Sequence, residues 1–281
     1  MHENHNVSAR LSWESWWPGF NSFYEEAKSH PYALRHGITV LRVSEFAAQF
    51  YCEQQLDLRL LLRAERFRDW ERRTSAADVE GRTDSLAAGV RGHEMIAGAD
   101  PERPAELIWR DVINGGSVRL DNPLLLGKYQ DIFLAGHPDI IIFSDQVPTL
   151  VIEYKFSAKG IPSAQHHSQA NLYCYLLEGM GFDVRNLHYV LGIFPPDCED
   201  VDALRNATDF IVDSFPFQRA EIPLSTGKGR LNASPYDRSS SIKELTWASG
   251  YWRGNREAVP TKVAWKCRAC SANKICDFSL A

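Results

Sequence analysis

Apolar and polar positions along the chain change period several times, and each change marks an element. Trp13, Trp16 and Trp17 recur at helical spacing near the start. They read as one face of a helix packed on the body, with a base-stacking platform as the alternative. From Ser44 to about Arg73 the spacing of Phe46, Phe50, Leu56, Leu60 and Leu61 predicts a long amphipathic helix, with Ser44 as its N-cap. A second helix follows Asp84 through Leu86, Val90, His93 and Ile96.

Beyond residue 105 short apolar or alternating runs predict strands at Glu106–Ile113, Ser117–Leu126, Pro138–Phe143 and Thr149–Phe156. Pro162 opens a helix that Gly179 stops. Leu187–Phe194 reads as a buried strand closed by Pro195-Pro196. Residues 197–245 have little periodicity, and Ser225–Ser241 reads as a mobile loop or insertion. A last helix is expected around Trp247–Glu257, before a cysteine-rich tail. Gly227-Lys228-Gly229 lacks the spacing of a phosphate loop, so no ATPase motor is expected.

Composition narrows the class. With 44% hydrophobic and 24% charged residues the chain reads as globular. No run approaches the roughly 20 apolar residues of a membrane span. The N-terminus lacks a secretory pattern, so a cytoplasmic protein without a membrane partner is expected. Thirty-one Lys and Arg against 36 Asp and Glu give a net charge of −5. Binding nucleic acid by overall basicity is therefore excluded, and any such contact must come from a local groove.

The segment Gly136-His137-Pro138-Asp139-Ile140-Ile141-Ile142-Phe143, followed by Val151-Ile152-Glu153-Tyr154-Lys155, carries the chemistry. A hairpin turn centred on Gln146 sets Asp139 opposite Glu153, with side chains about 5 Å apart. Like charges so close call for a cation between them, and a divalent metal answers that need. Glu153 and Lys155 share a face and Tyr154 points away. The three polar groups match what phosphodiester hydrolysis requires: a metal-activated water and a lysine that orients or neutralises. The hairpin alone is equally compatible with a solvated surface pair.

Neighbouring residues add to this. In its motifs the chain resembles the RecB-like branch of the PD-(D/E)XK nuclease superfamily. Gly89-Val90-Arg91-Gly92-His93-Glu94 is similar to the helix that brings a metal-binding histidine, and Gln169 and Tyr173 match the pair after the lysine strand. The resemblance implies an α/β fold, a mixed-sheet restriction-endonuclease-like core flanked by helices. It implies Asp139, Glu153 and Lys155 as catalytic, His93, Asp139, Glu153 and the Ile152 carbonyl as ligands of manganese or magnesium, and Gln169 and Tyr173 as substrate-positioning residues. His137 is a competing metal candidate that it does not support, while His166 and His167 are weaker candidates for substrate contact.

Of six cysteines, Cys267, Cys270 and Cys276 form a C-x2-C-x5-C array, and Cys52 is the natural fourth ligand. Cys174 and Cys198 read as ordinary thiols. The four suit zinc or iron alike. The setting of Cys52 resembles the iron–sulfur RecB-like nucleases, among them the CRISPR-adaptation exonucleases. That resemblance implies a four-iron four-sulfur (4Fe-4S) cluster in a helical domain built from both chain ends.

The expected organisation is an aromatic arm (1–36), a helical cluster-domain part (37–83), a nuclease core (84–196), a polar insertion (197–245) and a cysteine-rich part (246–281). The expected function is metal-dependent hydrolysis of single-stranded DNA or DNA ends, as an exonuclease of CRISPR adaptation, defence or repair with other proteins of such a pathway as partners. A structure-specific endonuclease subunit and a non-catalytic DNA-binding module are the alternatives.

Overall fold

In the computed structural model, the described residues are 10–62, 104–157, 160–195, 201–216, 221–223 and 229–281. The fold is organised by a strand that is apolar almost throughout, β6 (Val147–Phe156). Such a run needs cover on both faces, and β6 lies inside a six-stranded sheet of order β2-β5-β6-β7-β9-β8. The other strands are β2 (Ser117–Asp121), β5 (Ile140–Ser144), β7 (His188–Phe194), β8 (Glu221–Pro223) and β9 (Arg230–Pro235). Within this sheet, among the described residues, only β6 and β7 pair in parallel, joined through helix α4 (Ala164–Gly179); β5 and β9 flank them antiparallel.

Alternation along β6 divides the core. Val151 joins a large cluster with Leu172, Leu176 and Leu177 of α4. Leu150, Ile152 and Tyr154 point to the opposite layer, against Ala207 and Ile211 of α5 (Val201–Asp213). The buried Tyr154 hydroxyl lies 2.6 Å from Thr208 Oγ1 there. Tyr154 thus points away from the face that Glu153 and Lys155 share with Val151. A smaller sheet of order β1-β4-β3 joins β1 (Val40–Arg42), β3 (Leu125–Tyr129) and β4 (Ile132–Gly136). This is a mixed α/β architecture with helices flanking mixed sheets.

Several boundaries differ from the sequence reading. Glu106–Ile113, expected as a strand, lies within helix α3 (Ala105–Asn114). Ile108, Trp109, Val112 and Ile113 recur four apart, and that spacing outweighs their apolar density. Ser117–Leu126 is two strands in two sheets, broken at Asn122 (φ 51°) and Pro123, and β4 had not been anticipated. Helix α2 (Val43–Leu61) takes Arg42, not Ser44, as its N-cap residue, because the Glu45 carboxylate reaches back to the Arg42 N–H and guanidinium. Ser163 rather than Pro162 caps α4. The expected loop at 225–241 contains β9 and the start of α6 (Arg238–Trp252). Leu231 and Ala233 alternate into the core, and Asp237 Oδ1 accepts the Ser239 and Ser240 N–H groups, so a serine-rich run becomes a capped first turn. Helix α6 then ends at Trp252, short of Glu257. The expected helix after Asp84, with His93, lies outside the described residues.

The aromatic start forms helix α1 (Trp13–Ser29). Trp16 packs on Trp109 and Phe182, and its Nε1 donates to the Met180 carbonyl at 2.9 Å. This is the packing role expected of that face. Among the described residues no helix is long and apolar enough to cross a membrane.

Gly192 of β7 faces Tyr154, and a Cβ there would lie 2.6 Å from Tyr154 Cε1 and 3.2 Å from Phe194 Cε2. Both rings are fully buried. Gly192→Ala should therefore destabilise the fold by about 1–3 kcal/mol through overpacking, read as a lower urea midpoint at unchanged slope. A midpoint equal to the parent's would contradict this packing.

Candidate active site and cysteine pocket

The β5–β6 hairpin sets the site. Its turn is the two residues Asp145 and Gln146, both left-handed (φ 50° and 68°), the geometry that follows strand twist. Ser144 pairs with Val147 and Phe143 with Pro148; Thr149 is then bulged, and Ile142 pairs with Leu150 and Ile140 with Ile152. The tighter turn and the bulge offset each other. Near the site the register equals that expected from a turn centred on Gln146, so Asp139 comes level with Glu153.

Asp139 lies just before β5, where its Oδ2 accepts the Tyr154 N–H at 2.6 Å. Glu153 is only 2% exposed. Its Oε1 accepts from Lys155 Nζ at 2.6 Å and from Gln169 Nε2 at 2.7 Å. Gln169 also donates to the Tyr173 hydroxyl at 3.0 Å, and that hydroxyl donates to the His137 carbonyl at 3.1 Å. The four-residue spacing on α4 puts both side chains on one face. Burial, then the nearby Glu153 charge, pushes the Tyr173 hydroxyl well above its ordinary pKa, so it remains a donor at neutral pH.

Asp139, Glu153, Lys155, Gln169 and Tyr173 line one open cavity of about 800 Å³. Its walls also include His137, Asn122, Ser44, Arg42 and Arg59. The His137 Nδ1 lies 3.2 Å from the Asn122 carbonyl. Ile152 is paired on both sides, with Ile140 and Val190, and is not one of the lining residues. His166 and His167 have local roles. The His166 Nδ1 accepts the Ser163 N–H at the start of α4, and the His167 Nδ1 lies 3.0 Å from the Tyr189 hydroxyl. Burial, followed by the charges of Lys155 and His167, lowers the His166 pKa to about 4, which keeps its ring neutral. Arg42, Arg59 and Asn122 were not anticipated as site residues, since their approach depends on how α2 and the β2–β3 connection pack.

The four cysteines singled out by spacing meet at a second place. Cys52, Cys267, Cys270 and Cys276 line a small pocket of about 20 Å³ between α2 and the tail. Helical geometry is interrupted at Cys52, which is extended (φ −166°, ψ 111°). Cys267 lies on α7 (Ala264–Arg268), and the Cys270 N–H donates to its carbonyl at 3.0 Å. Burial, then the charges of the neighbouring thiols, raises the Cys270 and Cys276 pKa values. Four thiolates here therefore oppose one another unless a cation joins them. Cys174 is buried apart in the main core, where burial pushes its thiol far up. Cys198 lies outside the described residues. Among the described residues no three His, Cys, Asp or Glu side chains are already gathered as a metal-holding group.

A polar clasp holds the tail beside this pocket. Glu53, whose side chain is fully buried, accepts from both Arg256 Nη atoms (2.5 and 2.7 Å), from Gln49 Nε2 and from the Val259 N–H. Trp252 Nε1 donates to Gln49 Oε1 at 2.6 Å. Arg35 donates to the Tyr251 and Arg256 carbonyls, and the Tyr251 hydroxyl donates to Asp57.

No protein-family model matches the chain, and no curated protein does. The solved crystal structure of SSO0001 is similar over 96% of this chain and 100% of that one, at 15% identity and a TM-score of 0.42.

Removing Arg256 leaves Glu53 as an uncompensated buried charge, so Arg256→Ala should cost about 3–5 kcal/mol. Chemical denaturation with the tail tryptophans as probes checks this, and a loss under 1 kcal/mol would show that the clasp is not needed.

Proposed function

We propose that the protein is a metal-dependent nuclease that hydrolyses phosphodiester bonds in single-stranded DNA or at DNA ends. The supporting observation is the convergence of Asp139, Glu153, Lys155, Gln169 and Tyr173, from the β4–β5 connection, β6 and α4, on one cavity. As a donor set, two carboxylates fit a hard divalent ion such as manganese or magnesium. Asp139 and Glu153 would hold it, with His93 as the further side-chain ligand implied by the resemblance; Ile152, paired on both sides and outside the lining, is not included. Such an ion, when bound, supplies Lewis acidity toward the phosphate and an activated water.

The chain's own groups do the rest. Lys155 carries a positive charge to within 2.6 Å of Glu153 Oε1, where it can neutralise developing negative charge on a phosphate or orient the attacking water. Gln169 fixes the Glu153 rotamer, and Tyr173 ties Gln169 to the segment leading to Asp139. The pathway and the exonuclease mode follow the resemblance alone: an exonuclease of CRISPR adaptation, defence or repair.

The thiol set fits a four-ligand centre, since all four cysteines line one pocket, where burial and then the neighbouring thiols raise the pKa values of Cys270 and Cys276. We read it as holding a 4Fe-4S cluster, whose binding free energy would add to the joining of the chain ends.

Asp139→Ala, Glu153→Ala and Lys155→Ala should each lower cleavage of labelled linear and circular DNA by on the order of a hundredfold or more, with DNA binding retained. Full activity of Lys155→Ala would remove Lys155 from the chemistry, and binding without cleavage by the parent would favour the binding-module alternative. Anaerobically purified protein should be brown and contain iron and sulfide. Serine at Cys267 should remove the colour and serine at Cys174 should not; colourless folded protein with one zinc per chain would replace the iron–sulfur assignment with zinc.

A further inference from the structure

The cavity has a second wall that hydrolysis itself does not use. Arg42 at the start of α2 and Arg59 near its end both open onto it, together with Ser44 and Ala48. Ser44 and Ala48, four residues apart, share a face of the helical segment before Cys52, and Arg59 reaches the same cavity from the segment after it. The acids lie on the other side, on β6 and the β4–β5 connection. We propose that this α2 wall is the track for the sugar–phosphate backbone of one nucleic-acid strand, with Arg42 and Arg59 as phosphate contacts. The proposal rests on the nuclease reading of the facing carboxylates and assigns the substrate's path to a named surface.

Three features argue for a strand. The arginines flank the two helical segments of α2, Arg42 at its N-cap and Arg59 in its last turn, on either side of the interruption at Cys52. An extended polyanion presents a separate phosphate to each. Second, Glu153 is only 2% exposed at the cavity floor. A rigid duplex cannot lower its backbone to such a group, but a flexible single strand can enter a cavity of about 800 Å³. Third, the net charge of the chain is −5, so its general field repels nucleic acid and attraction must be local. Arg42 suits that task. Its side chain is 71% exposed while one Nη donates to Glu45, and the planar fork has further donors to offer.

The test is fluorescence anisotropy of a labelled single-stranded oligonucleotide on the intact protein, over a salt series, with calcium replacing manganese or magnesium. Arg42→Gln and Arg59→Gln should each weaken binding about three- to tenfold. Each should also flatten the slope of log affinity against log salt by about 0.7. Arg238→Gln, which removes an exposed arginine paired with Glu178 away from the cavity, should change neither. A blunt duplex of equal length should bind more weakly. Arg42 is the N-cap residue of α2, so Arg59→Gln carries the test if the Arg42 variant fails to fold. An unchanged slope for Arg59→Gln, or tighter binding of the duplex, would overturn the track. Arginine-dependent binding by a protein that never cuts would remove the nuclease reading and keep the track. Cleavage lost at Asp139 with arginine-independent binding would do the reverse.

Discussion

Burying a carboxylate on a central strand costs several kcal/mol unless charge-assisted donors meet it, and Glu153 imposes that condition on everything around it. Lys155 meets it from the same strand and Gln169 from α4, so the helix can occupy only one register over β6. Tyr173, one turn further, extends the demand to the His137 carbonyl and hence to the segment that delivers Asp139. Gly136 shows how close this approach is, since a Cβ there would lie 2.6 Å from both Tyr173 Cε1 and Val43 Cγ2. The packing of β4, α2 and α4 and the placement of the acids are therefore one arrangement.

A second constraint closes the chain on itself. Glu53 lies next to Cys52 and is satisfied almost entirely by groups from beyond residue 250 or by Gln49. These contacts bring the tail to α2 without help from the thiols. The pocket lined by the four cysteines thus adjoins a segment that Glu53 already holds against α2. Helix α2 links the two places, with Arg42, Ser44 and Arg59 on the cavity and Cys52 at the thiol pocket.

Much of this was legible in residue order. Alternation along β6 gave the shared face of Glu153 and Lys155 and the opposite direction of Tyr154. The spacing of Gln169 and Tyr173 gave a common helical face, and the one-plus-three cysteine pattern gave four thiols that do meet. Such features are local, or depend on side-chain chemistry that few other arrangements can satisfy. The hairpin register was also correct near Asp139, though through a two-residue turn and a bulge that one turn centre does not describe.

Other features were decided by tertiary packing. Trp109 and its neighbours are apolar enough for a strand, yet Pro104, Gly115 and a buried aromatic layer make them a helix. Leu231 and Ala233 sit in a polar stretch and become strand only because β7 offers an edge to pair with. Arg42 and Arg59 bear no mark in the sequence, because lining a cavity depends on the wall that stands opposite. Short-range periodicity is written along the chain; the meeting of surfaces distant in sequence is fixed only when the core closes.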